Sequence, residues 1–153
     1  MDIQDIETII RRATVCRLGL IDGEAPYVVP LCFGYRNGSF YFHTSPKSRK
    51  LEMIQKHPRV CLEMDVGTEP LAADTPCDWN MRYASVIAFG MAAIVEDASE
   101  KREALAAIMD QYTGGPYDFP EEKLAITAVI KVMVERMTGR RSKIGAASRT
   151  RIS

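Results

Sequence analysis

Asn37-Gly38 restricts this chain more than any other pair of residues. Both tolerate positive φ, and an Asn-Gly pair between two apolar runs specifies a two-residue hairpin turn. The run before it, 27–35, is rich in Val, Leu and Phe. The run after it, Ser39-Phe40-Tyr41-Phe42-His43-Thr44, mixes aromatic and hydroxyl residues as a half-buried strand does. Asp22-Gly23 is a second turn dipeptide and closes a strand over 14–21. Two tight hairpins so early commit the N-terminal part to antiparallel pairing. Pro30 interrupts the second run, and because it has no N–H to donate, it belongs at a sheet edge or a bulge.

The other segments follow from their periods. Ile3, Ile6, Ile9 and Ile10 recur at helical spacing and predict a helix over 2–12. A short helix over 51–57, with Leu51 and Ile54 inward, is stopped by Pro58. Residues 59–66 alternate, with Val60, Leu62, Met64 and Val66 on one face. Residues 67–80 hold two prolines and mixed polarity and read as a loop. A long strand over 83–96 carries Ala84, Ala88, Gly90 and Ala92, small residues that permit close packing. Leu105, Ile108, Met109 and Tyr112 predict a helix over 99–112 with one apolar stripe, ended by Gly114-Gly115-Pro116. A last strand spans 126–137. The order α-β-β-β-α-β-β-α-β has no β-α-β rhythm. It argues for an α+β protein, an antiparallel barrel or sandwich with helices attached.

At 153 residues the chain is expected to form one domain over 1–153. Its net charge is zero, but residues 138–153 carry Arg140, Arg141, Lys143, Arg149 and Arg151 without an acid. This basic C-terminal tail could touch nucleic acid. The absence of interleaved aromatics instead favours a solvated or docked terminus, so a nucleic-acid partner is not expected. The acidic N-terminus lacks a signal-peptide layout and no apolar run is long enough to span a bilayer, so the expectation is a cytoplasmic protein without a membrane partner. Cys16, Cys32, Cys61 and Cys77 are widely spaced, with no C-x-x-C pair. The first three lie in strand-like runs, where a free cysteine behaves as a small hydrophobe, and no metal site is expected.

Dinucleotide, Walker, zinc-protease and nucleophile-elbow motifs are all missing. What stands out is the end of the 39–44 strand. Thr44, Ser45 and Ser48 supply hydroxyls and Lys47, Arg49 and Lys50 supply charge just where a helix begins, a plausible phosphate cradle. Of the two histidines, His57 before Pro58 reads as structural or solvated. His43 beside the cationic tip could contact a ligand or simply point out of the sheet; it is the one candidate near the reacting centre, and the catalytic residues are otherwise unknown.

Pro26-Tyr27-Val28-Val29-Pro30-Leu31-Cys32-Phe33, the Asn-Gly hairpin, Phe40-Tyr41-Phe42-His43 and Ser48-Arg49-Lys50-Leu51 resemble, in that order, the pyridoxamine 5'-phosphate oxidase-like FMN-binding split-barrel family. Within it the chain most resembles the nitroimidazole-resistance branch. His57-Pro58-Arg59-Val60-Cys61-Leu62-Glu63-Met64-Asp65 and Tyr83-Ala84-Ser85-Val86 continue the likeness. The resemblance implies a six-stranded antiparallel split barrel with peripheral helices, and a homodimer with FMN at the subunit interface. Val29, Pro30, Leu31 and Cys32 would line the flavin ring, partly through backbone groups. His43 and Thr44 would flank its ribityl-phosphate side, Arg49 and Lys50 would bind the phosphate with Ser48 assisting, Ser85 would approach the same cofactor and Trp79 would cover it from a loop. The implied activity is FMN-dependent reduction of a small electrophile such as a nitroaromatic. The alternative is a non-catalytic flavin- or haem-binding protein that stores or senses its ligand; some members bind a deazaflavin. No counterpart to the oxidase's substrate-phosphate motif is present, so oxidation of pyridoxamine phosphate is not implied.

Overall fold

In a computed structural model, which describes residues 1–142, both hairpins form. Asn37 and Gly38 take φ of 51° and 73°, and Arg36 faces Ser39. The turn between β3 (Gly34–Arg36) and β4 (Ser39–Thr44) is therefore the two-residue type with both φ positive. Gly23, at φ 65°, turns β1 (Cys16–Asp22) into β2 (Ala25–Leu31). With β5 (Arg59–Leu71), β6 (Asn80–Val95) and β7 (Ala128–Arg141) they make one sheet in the order β2-β1-β5-β6-β7-β4-β3. Every neighbouring pair in it is antiparallel.

The strands number seven rather than six because the run 27–35 breaks at Cys32-Phe33. Its two halves, β2 and β3, lie at opposite edges of the sheet. A flat seven-stranded sheet would hold its edges about 29 Å apart, yet the chain from Leu31 to Gly34 can reach only about 11 Å. The sheet must therefore roll until its edges approach, while sharing no ladder: an open, split barrel. Pro30 sits on the edge strand β2, as its missing N–H requires.

The inner face carries the core. Leu18, Phe40, Phe42, Leu62, Met64, Val86, Ile130 and Val132 are fully buried, and β5 alternates as its sequence predicts. The first helix, α1 (Ile3–Arg12), is capped by the Asp2 carboxylate, which accepts the Asp5 N–H at 2.9 Å. Its Ile6, Ile9 and Ile10 join the core against β5, β6 and β7. Helix α2 (Arg49–Lys56) packs on β1 and β6, burying Met53 and Ile54 with Leu51 half-buried.

Helix α3 (Ala98–Asp110) lies over β3, β4 and β7 and buries Ala104, Ala107 and Ile108. Of the apolar stripe read from sequence only Ile108 is fully buried, and Ala104 and Ala107 make the rest of the buried face. A Cβ on Gly34 would stand 2.4 Å from the Ala107 backbone, so helix and strand meet too closely for large side chains. Leu105 is half-buried and Met109 and Tyr112 are exposed. Tyr112 has a different task. Its hydroxyl accepts the Phe33 N–H at 3.0 Å and donates to the Thr14 carbonyl at 2.9 Å, holding the bridge between the sheet edges.

Two expectations about chain ends of strands are corrected. Part of 67–80 is strand rather than loop: β5 runs to Leu71 through a register shift between Val66 and Glu69, and β6 begins at Asn80. An arm exposed on both faces has no need of alternation, so its mixed polarity imitates a loop. At the other end β7 continues to Arg141, so Arg140 and Arg141 are strand residues rather than tail. Lys143, Arg149 and Arg151 lie outside the described residues. A short helix, α4 (Glu121–Ala125), precedes β7. Among the described residues no helix is long and apolar enough to cross a membrane.

Candidate functional site

The hydroxyl-and-cation stretch folds into a compact tip between β4 and α2. The Ser45 carbonyl accepts the Ser48 N–H at 3.0 Å and the Ser45 hydroxyl accepts the Lys47 N–H at 3.2 Å. Ser48 is the N-cap, its Oγ accepting the Lys50 N–H at 3.3 Å. A hydroxyl used as an acceptor keeps its own proton, so Ser48 can still donate outward. Arg49, 73% exposed, pairs with the Asp22 carboxylate at the β1–β2 turn. The two residues share a cleft of about 180 Å³ with Ile21, Glu52, Met53 and Lys56. Lys50 is half-buried and follows a helical step further round α2.

The β2 candidates divide by face. Val29 and Leu31 pack their side chains on the core, while Pro30 and Cys32 are exposed. Cys32 is not the strand hydrophobe expected; it stands in the bridge between the edges. As an edge strand, β2 has an outer row of N–H and C=O groups with no strand partner among the described residues. Those backbone groups, more than the side chains, are what 29–32 offers a ligand.

His43 and Thr44 also part company. Phe42 points inward, so strand alternation sends His43 outward, and Thr44 turns back toward the core side, half-buried. The His43 ring lines a separate apolar cleft under α3 and α4. Ser85 lies opposite Asp65 on β5 and Arg140 on β7, on the outer face of the barrel. Trp79 follows a single 3-10 turn, Pro76–Asp78, and is 56% exposed. Its indole N–H donates to the Ala73 carbonyl at 3.0 Å, leaving the ring face open. The tip, the β2 edge, the outer face at Ser85 and the arm at Trp79 are thus distinct places among the described residues, and neither of the two clefts described brings them together.

An outer-face cluster adjoining Ser85 was not singled out from sequence. Arg17 donates to Glu63 at 2.9 Å and to Asp65 at 2.8 Å, and both carboxylates hold its guanidinium more firmly protonated. The Thr68 hydroxyl, then Arg17, hold the Asp65 carboxyl below the usual range. Pro30 sits directly opposite Arg17, so the cluster joins β2 to β6. Its only sequence signal was acids on the outward positions of β5. Burial pushes the Cys16 thiol up to about 12 and raises that of Cys61, which makes both poor nucleophiles. No group of three or more metal-ligating side chains occurs among the described residues.

The family model described as pyridoxamine 5'-phosphate oxidase matches residues 2–141. The chain belongs to that family. Among solved structures, a candidate 5-nitroimidazole antibiotic resistance protein from Bacteroides thetaiotaomicron is 38% identical to this family member. It covers 90% of this chain and 82% of its own, with a TM-score of 0.81. The likeness read from sequence to the nitroimidazole-resistance branch stands on that match. A flavocytochrome from Azotobacter vinelandii, at 20% identity, 93% and 68% coverage and TM-score 0.82, has the same fold. So does an FAD and haem binding protein from Mycobacterium smegmatis, at 16% identity, 93% and 72% coverage and TM-score 0.83. Comparison with curated proteins gives no match. The split-barrel architecture of this family member is therefore shared well beyond its sequence relatives.

Proposed function

We propose that this protein binds FMN and reduces a small electrophile such as a nitroaromatic, with electrons from an external donor. The observation that carries the reading is the tip formed by Ser48, Arg49 and Lys50 at the start of α2. It fits a phosphate dianion: a hydroxyl with a proton to give, a planar guanidinium fork and an ammonium point charge. The helix N-terminus adds its partial positive charge. Asp22 pairs with Arg49 where both are well exposed, so exchanging that carboxylate for a phosphate costs little.

The ring would lie along the outer backbone of β2 at Val29, Pro30, Leu31 and Cys32, with Thr44 toward the ribityl chain, Ser85 within reach of a polar edge and the Trp79 face covering it. Bound FMN supplies the electron transfer, and the residues here position it and exclude water. Because these parts lie apart within one chain, a second copy of the chain completes the site in this proposal. Val28 and Met133, 64% and 52% exposed, are among the outer-face apolar side chains that a homodimer would cover. Family membership and the 38% identical neighbour support the reading.

Purified protein is expected to be yellow, to bleach with a reduced nicotinamide donor and to recover its colour on adding a nitroimidazole. Arg49→Ala with Lys50→Ala should lose FMN on gel filtration. Unchanged flavin occupancy in that double variant would reject the phosphate assignment, and a haem Soret band in place of flavin absorbance would overturn FMN as cofactor.

A further inference from the structure

A half-open cleft of about 200 Å³ lies between α3, α4 and the end of β4, away from the Arg49 cleft. Its floor is apolar: Ile108 and Leu124 are buried, and Leu105 and Phe119 are half-buried. Two exposed nitrogen-bearing side chains, His43 and Lys123, stand at its rim. The wall is fixed to α3 from several directions. Arg102 donates to the Phe119 carbonyl at 2.8 Å and pairs with Glu121, and Lys101 donates to the Leu124 carbonyl at 2.6 Å. The Tyr117 hydroxyl lies 2.6 Å from the Thr113 carbonyl and 3.0 Å from Asp110. The concavity is thus pre-formed, as small-molecule sites usually are. Among the described residues neither Lys123 nor His43 has a carboxylate partner.

We propose that this cleft binds a small monocarboxylic acid with an apolar body, aromatic or branched, whose carboxylate is taken by Lys123. The floor rewards burial of an apolar group in proportion to its area, and its size suits a single ring rather than a dinucleotide. The rim selects the charge: a cation would meet Lys123 unfavourably, a neutral ligand would leave that ammonium unused, and a phosphate dianion wants more donors than the rim presents. His43 then serves this cleft rather than the flavin phosphate. The site does not depend on the flavin reading.

Benzoate, benzyl alcohol and benzylamine are the probes, titrated into methyl-labelled protein while the methyl resonances of Leu105, Ile108 and Leu124 are followed. The titrations are run on the wild type and on the Arg49→Ala, Lys50→Ala double variant. Benzoate should shift those methyls saturably and equally in both proteins, with benzyl alcohol about tenfold weaker and benzylamine weaker still. Lys123→Gln, an exposed substitution, should erase the preference for benzoate over the alcohol. Met109 also lines the cleft, so Met109→Trp should fill it and abolish the shifts while leaving the rest of the spectrum in place. Absence of shifts, equal affinity for acid and alcohol in the wild type, or undiminished binding in Met109→Trp would each overturn the proposal. Methyl shifts that depend on protein concentration alone would mean that a second copy fills the cleft, and would overturn it too.

Discussion

Asp65 shows how much one side chain on the outer face can be asked to do. It accepts hydrogen bonds from Thr68 and Arg17 and faces Ser85 across the ladder. Both donors favour its ionised form, so its pKa in the folded protein lies below the unfolded value of about 3.9. A carboxyl depressed in this way stabilises the fold above about pH 4 and loses that contribution as pH falls through its lower folded value. Urea midpoints measured between pH 2.5 and 5 should therefore fall less steeply in Asp65→Asn than in the wild type. A parallel pair of profiles would remove Asp65 from the acid response. Little of this cluster is legible in the chain: Arg17 stands 46 residues from Glu63, and only the sheet register joins them. Ser48, Arg49 and Lys50 were legible because capping and helix entry are decided within a few neighbouring residues.

Among the elements, α3 depends on a close approach that its own sequence does not announce. Gly34 on β3 lies against the backbone of Ala107 and Ile108. Gly34→Ala has no flexible side chain to displace and should cost about 3 kcal/mol, read as a lowered denaturation midpoint. A neutral result would mean that α3 can slide outward freely. Helical period does place the helix. It cannot say which flank is buried, since that is settled by β3, some seventy residues earlier. The hairpins at Gly23 and Asn37-Gly38 were readable for the opposite reason, being specified by their own dihedral preferences. The β5–β6 arm fell between these cases, because a strand exposed on both sides has no alternation to show.

For the whole molecule, two of the candidate parts for flavin, Pro30 and Ser85, lie on an outer face that also carries Val28, Ile87 and Met133 in the open. If a second copy covers that face, Ile87→Asp should yield a monomer in analytical ultracentrifugation and weaken flavin retention together. A wild-type protein that sediments as a monomer while holding stoichiometric FMN would refute that linkage. The antiparallel order, and an edge or a bulge for Pro30, could be reasoned from sequence, while the rolled sheet followed from the family likeness. The division of candidates between faces could not, because a residue's face depends on register across strands that are remote in the chain.

The two-residue bridge at Cys32-Phe33 also bears on how the chain is made. It sends β1–β2 and β3–β4 to opposite ends of the sheet, where β1 needs β5 and β4 needs β7. Ser39 meets Met133 only after most of the chain exists. On the ribosome the second hairpin therefore waits without a sheet partner until residues 128–141 emerge, whereas the first can dock once β5 is out. Such late, distant pairing is intrinsically slow, and the rolled sheet is complete only once β7, the last strand among the described residues, has been made.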